Sequence, residues 1–233
     1  MASASRLIGD YLAERDADAR YASFDYCYGY FRSLSGNTSA LKVPQEAQSA
    51  CMQLMCYLAS WGMFRGSSRL LREKSMRHFL PFVREIGSGQ FDELWEIDCD
   101  DYSDENIRTL IGAYEEIRRL VVVGSQQPMI LVTKVMLGAF GCCPAFDTQA
   151  TNTLRTRYPK KSGAGGSGFR RFNRDALKLV AKCYDENRAV VDGFAASTKV
   201  LGFSSGKSTR RRYTKAKVLD MLLFRANGSP FTP

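Results

Sequence analysis

The sequence contains a single histidine, His78, and none of its apolar runs reaches the roughly 18 residues that a membrane-spanning helix requires. Residues 1–10 also lack the apolar core of a signal peptide. Both absences argue against a membrane-spanning or secreted protein. We therefore expect a soluble, cytoplasmic protein without a membrane partner.

Motifs for metals and nucleotides are missing as well. The seven cysteines are scattered, Cys142 and Cys143 are adjacent rather than spaced as C-x-x-C, and one histidine adds too few ligands for zinc. The acidic stretch from Asp98 to Glu105 does not match a calcium loop, and residues 160–171 lack the glycine spacing of a P-loop. We predict reduced, mostly buried cysteines, His78 on the surface or in packing contacts, and no metal, iron–sulfur cluster or other cofactor.

Positive charge is the main feature of the composition. The chain has 233 residues, with 33 lysines and arginines against 24 acidic residues, so its formal charge is +9. The excess lies mainly after residue 150, which indicates a polyanionic partner such as nucleic acid. An acidic membrane surface is the competing explanation. The hydrophobic content of 45% is sufficient for a sizeable core, and we expect a monomer.

Helical spacing of apolar residues recurs along the chain, whereas strand alternation and hairpin signals are not found. The sequence therefore predicts an all-α, multi-helix unit over residues 1–233, organised as two lobes around a helix-turn-helix-loop-Asp core. One lobe would combine residues 1–100 with 170–233, and the other, residues 104–160, would hold the core. The predicted helices include a long one over Gln45–Arg72, and the acidic run beginning at Asp98 is predicted to be a solvated connection.

The most informative stretch runs from Leu131 to Tyr158. Apolar residues at helical spacing predict one buried helix face up to Phe140, and Gly141 and Pro144 then end the helix. Asp147 follows at the start of the next helix, where its carboxylate can accept hydrogen bonds from free backbone N–H groups. Two interpretations remain open. Asp147 is either a purely structural helix cap or a functional carboxylate at the mouth of a pocket between helices, kept ionised because the same N–H groups lower its pKa.

The segment Val135–Gly141, reading V-M-L-G-A-F-G, is followed by a proline, by Phe146-Asp147-Thr148 and by Arg155. This pattern of about thirty residues resembles the second helix and catalytic loop of the helix-hairpin-helix DNA glycosylase superfamily. The resemblance implies an all-α glycosylase in which Asp147 is catalytic. Lys134 lies in a segment similar to the one that holds the nucleophilic lysine in members that cleave oxidised purines.

The chain departs from the family pattern in two places. Lys134 and Asp147 are 13 residues apart, which is shorter than the family's usual spacing, so Lys134 is either a nucleophile or a salt-bridge partner. The family's glycine-rich phosphate-binding turn corresponds here to a turn with Gly124, Ser125 and Gln127, which we predict to contact DNA. We expect a glycosylase without lyase activity.

Two aromatic segments are candidates for the wall of a base-binding pocket. Tyr28 lies in an aromatic-rich stretch, and Trp61, Phe64 and Arg65 lie where Gly62 and Gly66 interrupt a helical pattern. Aromatic faces stack on bases, and an arginine can bind phosphate. The alternative is that the aromatic residues belong to the core and that the glycines allow close helix packing.

Two basic loops rich in glycine and serine follow in the second half. We predict that their cations contact the DNA backbone: Lys160, Lys161, Arg170 and Arg171 in the first loop, and Lys207, Arg210, Arg211 and Arg212 in the second. The leading hypothesis is a DNA glycosylase that flips and excises a modified base from double-stranded DNA, either damaged or phage-modified. The alternative is a non-catalytic nucleic-acid-binding helical protein.

Overall fold

The computed structural model describes residues 1–64, 70–124, 128–159 and 169–233, and it confirms the predicted all-α fold. None of the described helices is both long enough and apolar enough to cross a bilayer. The α-helices are α1 (Ala4–Ala13), α2 (Ala22–Leu34), α3 (Pro44–Ser60), α4 (Leu70–Glu73), α5 (Leu80–Gly87), α6 (Asp104–Val121), α7 (Pro128–Phe140), α8 (Thr148–Arg157), α9 (Arg174–Glu186), α10 (Arg188–Ser197) and α11 (Lys215–Ala226).

The described residues also form four short strands, and one pair of them corrects the prediction that the chain has no hairpin. Strand β1 (Ala2–Ser3) pairs in parallel with β4 (Phe231–Thr232). Strand β2 (Lys199–Leu201) pairs antiparallel with β3 (Ser208–Arg212), where a basic loop was predicted. The β3 residues are mostly exposed and polar, so no apolar alternation reveals this strand in the sequence.

Helix α7 is the central helix of the fold. Every residue from Leu131 to Phe140 is buried, whereas the sequence predicted only one buried face. Helices α2, α3 and α6 pack around it, and the Trp95 ring lies 4.7 Å from that of Phe140. Since the helix is enclosed on all sides from Leu131 onward, Lys134 is buried with it.

Helices α3 and α7 approach closely at Gly138. A Cβ atom at this position would lie 2.4 Å from Cε1 of Tyr57, a side chain that is itself buried. We expect Gly138→Ala to lower the free energy of unfolding by about 1–3 kcal/mol, because the buried ring would have to shift. Gly112→Ala, in the exposed interior of α6 with open space around its Cα, should instead stabilise by about 0.5–1 kcal/mol. Urea unfolding of both variants checks this contrast, and equal effects would contradict it.

The long helix predicted over Gln45–Arg72 is too long. Helix α3 ends at Ser60 because Gly62 adopts a left-handed conformation with φ of 76°. The N–H of Met63 then bonds the carbonyl of Leu58, which closes the helix end in the manner of a glycine C-cap. Gly62 therefore terminates the helix, and Trp61 lies at its end.

Asp98 corrects the prediction of a solvated acidic connection. Its carboxylate accepts hydrogen bonds from the N–H groups of Lys215 and Ala216, at the start of α11, and from that of Cys99, all at 2.7 Å. Burial raises the pKa of Asp98 to about 6, although these hydrogen bonds act to lower it. Asp98 thus caps a helix that is remote in sequence.

The raised pKa of Asp98 predicts a pH dependence of stability. Between pH 4 and 6 the native carboxyl group holds a proton that the unfolded chain has released, so stability falls as the pH rises through this range. Compared with Asp98→Asn, the native protein should lose on the order of 2 kcal/mol of unfolding free energy between pH 4 and pH 6.5. Urea titrations at both pH values measure the difference, and parallel pH profiles would contradict the assignment.

Candidate active site

The turn between α7 and α8 begins at Gly141, which ends α7 with φ of 72°. Its carbonyl oxygen accepts a hydrogen bond of 2.8 Å from Oγ1 of Thr214, the residue that caps α11. A side chain at Gly141 would lie within 2.9 Å of both Thr214 and Tyr28. The end of α7 is therefore fixed against the start of α11.

Two hydrogen bonds hold the rest of the turn. The N–H of Ala145 donates to Oδ1 of Asp220 at 3.0 Å, and the N–H of Phe146 donates to Oγ1 of Thr133 at 2.9 Å. Both pairs are buried, so the backbone is held by side chains from α11 and α7. These contacts fix the position of the next residue, Asp147.

Asp147 caps helix α8, as predicted, and it also pairs with Lys134. Its Oδ1 accepts a hydrogen bond of 3.0 Å from the N–H of Ala150, while its Oδ2 lies 3.6 Å from Nζ of Lys134. Asp147 is 8% exposed and Lys134 is 5% exposed. The structural and functional interpretations of Asp147 are therefore compatible, because one oxygen caps the helix and the other faces an ammonium group.

Burial acts in opposite directions on the two members of this pair. It raises the pKa of the Asp147 carboxyl, which corrects the predicted lowering, and the Lys134 ammonium counteracts the effect of burial. It lowers the pKa of Lys134, and the Asp147 carboxylate counteracts that shift in turn. Burial thus disfavours both charges, as expected for a pair removed from water. A lysine and an aspartate in this environment are suited to proton transfer and to stabilising charge in a reaction.

A second buried pair lies on α11. Nζ of Lys217 lies 2.9 Å from Oδ2 of Asp220 and donates to the hydroxyl of Tyr11 at 3.1 Å. Lys217 is 1% exposed, and its ammonium also lies 4.6 Å from the ring centre of Phe24. Sequence reasoning missed this pair. Its signal was present, since two opposite charges three residues apart interrupt the apolar run of the last helix.

Trp61 is the point at which these groups meet. Its ring centre lies 5.2 Å from Nζ of Lys134, 5.7 Å from Nζ of Lys217 and 5.4 Å from Cζ of Arg20. Tyr21 and Phe224 contact the indole edge-on. Trp61 is partly exposed, and its buried Nε1 has no hydrogen-bond partner among the described residues. Three cations around one indole make Trp61 the aromatic centre of the site.

Of the other residues predicted for the base pocket, Tyr28 lies elsewhere. It is buried, stacks on Phe24 and lines a separate cavity of about 430 Å³ together with Arg32, Arg211 and Arg212. Phe64 is partly buried and packs against the core. Arg65 lies outside the described residues. The structure thus brings Trp61, Lys134 and Asp147 together and places Tyr28 at a separate cavity.

The predicted DNA-contacting residues are exposed wherever the structure describes them. Lys207 lies in the turn between β2 and β3, Arg210–Arg212 lie on β3, and Arg170 and Arg171 precede α9. Gly124 is exposed with φ of 62°. Ser125, Gln127, Lys160 and Lys161 lie outside the described residues. The basic side chains of the hairpin therefore form an accessible cationic surface.

Asp25 holds this hairpin on the body of the protein. It is fully buried and accepts hydrogen bonds from the N–H of Leu201 at 2.8 Å, from the hydroxyl of Tyr213 at 2.6 Å and from Arg15 at 2.9 Å. Leu201 lies in β2, and Tyr213 directly follows β3. The hairpin is thus fixed at its base rather than free to move independently.

The cysteines and the histidine were the other candidates for reactive or metal-binding groups. All seven cysteines are free thiols, and the described residues contain no cluster of ligands suited to a metal ion. His78 is partly buried, with Nε2 at 3.0 Å from the carbonyl oxygen of Val121, which is a packing contact. The Lys134–Asp147 and Lys217–Asp220 pairs around Trp61 are therefore the candidate active site. Comparison with protein-family models, curated proteins and solved structures found no match for this chain.

Proposed function

We propose that this protein is a DNA glycosylase, which hydrolyses the N-glycosidic bond of a modified base in double-stranded DNA and leaves an abasic site. The observation that carries the proposal is the buried pair formed by Lys134 and Asp147 beside the partly exposed Trp61. It supports the proposal because cleavage of this bond develops positive charge on the sugar, and a fixed carboxylate stabilises such charge best where water is excluded.

Asp147 has the principal role in the proposed reaction. Since its Oδ1 is engaged with the start of α8, its Oδ2 is the oxygen that can face the sugar or orient the attacking water. The turn is held on both sides by side chains, so the carboxylate needs little reorganisation when charge develops. The oxygen of water bonds to C1′ of the sugar, the bond from C1′ to the base nitrogen breaks, and the base leaves with the bonding electrons. The proton that the water releases ends on the departing base.

Trp61 is the proposed stacking surface for the extruded base. The indole is partly exposed, and base–aromatic stacking contributes about 1–3 kcal/mol per base. Lys134 is the salt-bridge partner of Asp147 in this scheme. It becomes a nucleophile only if it loses its proton, and burial favours that loss by lowering its pKa.

The cationic surface supplies the proposed contact with the DNA backbone. Lys207 and Arg210–Arg212 are exposed on a hairpin whose base is fixed by buried Asp25. A hairpin backbone held at its base loses little conformational entropy when its cations bind phosphate, and the net charge of +9 favours association with DNA. These features support duplex DNA as the substrate, although they are shared by proteins that bind DNA without cleaving it.

The decisive experiment is incubation of the purified protein with duplexes carrying oxidised, alkylated and phage-type hypermodified bases. Alkali-dependent strand breaks on a gel, together with the free base identified by mass spectrometry, are the expected result with one of these substrates. Salt-sensitive DNA binding without base release from any duplex would instead favour a non-catalytic DNA-binding protein. Borohydride would trap a covalent protein–DNA adduct if a lysine attacks the sugar. An adduct that forms with the native protein but not with Lys134→Gln would add lyase activity to the proposed function.

A further inference from the structure

Two lysines from different helices bring their ammonium groups to the same indole ring. Lys134 of α7 and Lys217 of α11 are both almost fully buried, and both lie within 6 Å of the ring centre of Trp61. Buried ammonium groups repel each other strongly, because little water is available to screen them. Each is compensated by its own carboxylate, Asp147 for Lys134 and Asp220 for Lys217.

Asp220 connects the two pairs physically. Its Oδ2 binds Lys217, while its Oδ1 accepts the hydrogen bond from the N–H of Ala145, two residues before Asp147. The second pair therefore contacts the backbone that places the first. Asp147 and Lys134 also experience Asp220 electrostatically: its negative charge raises the pKa of both groups, and the positive charge of Lys217 lowers that of Lys134.

Stability alone is a weak reason for this arrangement. Replacing a buried ion pair with well-packed apolar residues is often neutral or stabilising, by about 1–4 kcal/mol. The rings of Tyr11, Phe24 and Trp61 around Lys217 form an apolar environment that would accept a methionine side chain. A charged pair in such a place is better explained by what its charges do to neighbouring groups.

We propose that Lys217 and Asp220 are positioning residues of the candidate site: Asp220 holds the turn that carries Asp147, and Lys217 keeps a second positive charge against the Lys134 amine. This inference rests on the proposed function for its chemical purpose, because a lysine beside a second cation is easier to deprotonate. The effect of Lys217 and Asp220 on the pKa of Lys134 does not depend on DNA. The charged and titratable groups around the two lysine–aspartate pairs and Trp61 come from several elements. They are Tyr11 of α1, Arg20 before α2, Tyr57 of α3, Asp147 at the start of α8, and Asp220 of α11.

The test is a titration of Lys134 in the whole protein, by NMR of lysine labelled with ¹³C at Cε and ¹⁵N at Nζ, with Lys134→Arg to assign the signal. Lys217→Met should raise the pKa of Lys134 and Asp220→Asn should lower it, each by about half a pH unit or more. Both variants break the same buried pair and both lose stability. A purely structural role would therefore move the two titrations in the same direction or leave them unchanged, and either result would overturn the proposal.

Three further variants complete the design. Lys217→Arg keeps the charge and should leave the Lys134 titration as in the native protein. Lys215→Met, on the same helix, removes an ion pair with Asp100 near the surface and should also leave it unchanged. If Lys217→Met does not fold, Lys217→Gln replaces it, because glutamine can still donate a hydrogen bond to Asp220. It should also raise the pKa of Lys134. If the pKa of Lys134 shifts in opposite directions in Lys217→Met and Asp220→Asn but no DNA loses a base, the proposed function is refuted and the positioning role is kept. The two outcomes are separable because the titration needs no substrate.

Discussion

Replacing Asp147 with asparagine is expected to lower the single-turnover rate of base excision by about 10³-fold. The cap of helix α8 should be kept, whereas stability should fall because the buried Lys134 ammonium loses its carboxylate partner. Asparagine caps helices as well as aspartate does, so its side-chain oxygen can still accept the hydrogen bond from Ala150. What is lost is the negative charge that the proposed mechanism places next to the reacting sugar, and a single preorganised group of this kind contributes about 10²–10³ in rate. Rates with saturating enzyme on the identified substrate measure the effect.

A surface pair provides the matched control for this substitution. Asp104 lies in the first turn of α6 and pairs with Lys178 at 2.9 Å, with both side chains about half exposed. Asp104→Asn likewise replaces an aspartate that lies at the start of a helix and pairs with a lysine, but it should leave the excision rate unchanged. Native activity in a folded Asp147→Asn variant would refute the proposed mechanism.

Replacing Lys134 with methionine is expected to lower the free energy of unfolding by about 3–5 kcal/mol, since it leaves the buried Asp147 carboxylate without its partner. The Lys134→Met/Asp147→Asn double variant should recover much of this loss, because no unpaired charge then remains in the core. Urea unfolding at neutral pH measures the free energy of unfolding of the native protein, of the two single variants and of the double variant.

The surface comparison for Lys134 is Lys178→Met, which should cost less than about 1 kcal/mol because exposed ion pairs contribute little. The loss in Lys134→Met should shrink as the pH falls, since the pKa of Asp147 is already raised by burial and the carboxyl is then neutralised by a proton. A double variant whose loss equals the sum of the losses in Lys134→Met and Asp147→Asn would show that the two residues are not energetically coupled.

Local patterns in the sequence predicted much of the fold and part of the site. The helical spacing up to Phe140, the stop at Gly141 and the cap at Asp147 all depend on residues within two turns of one another. The contact between Lys134 and Asp147 was one of two alternatives left open, and the structure shows a salt bridge. Short-range physical chemistry was sufficient for these features.

The features that were missed depend on contacts between distant segments. Asp98 caps a helix more than one hundred residues away, and Asp220 binds the backbone of Ala145 from α11. The hairpin containing Arg210–Arg212 has mostly exposed side chains, so it carries no alternating pattern. Tyr28 was grouped with Trp61 because both are aromatic, but the fold places it in a different cavity. Spacing within a segment cannot show which other segment it meets.

The position of Trp61 makes the candidate site directly observable by fluorescence. The chain has two tryptophans, and Trp95 is buried against Phe140. A Trp95→Phe variant would therefore leave one indole emitter, located among the cations of the site. A base that stacks on this indole would quench its emission, so extrusion of the base and its release could be followed in time as separate optical signals.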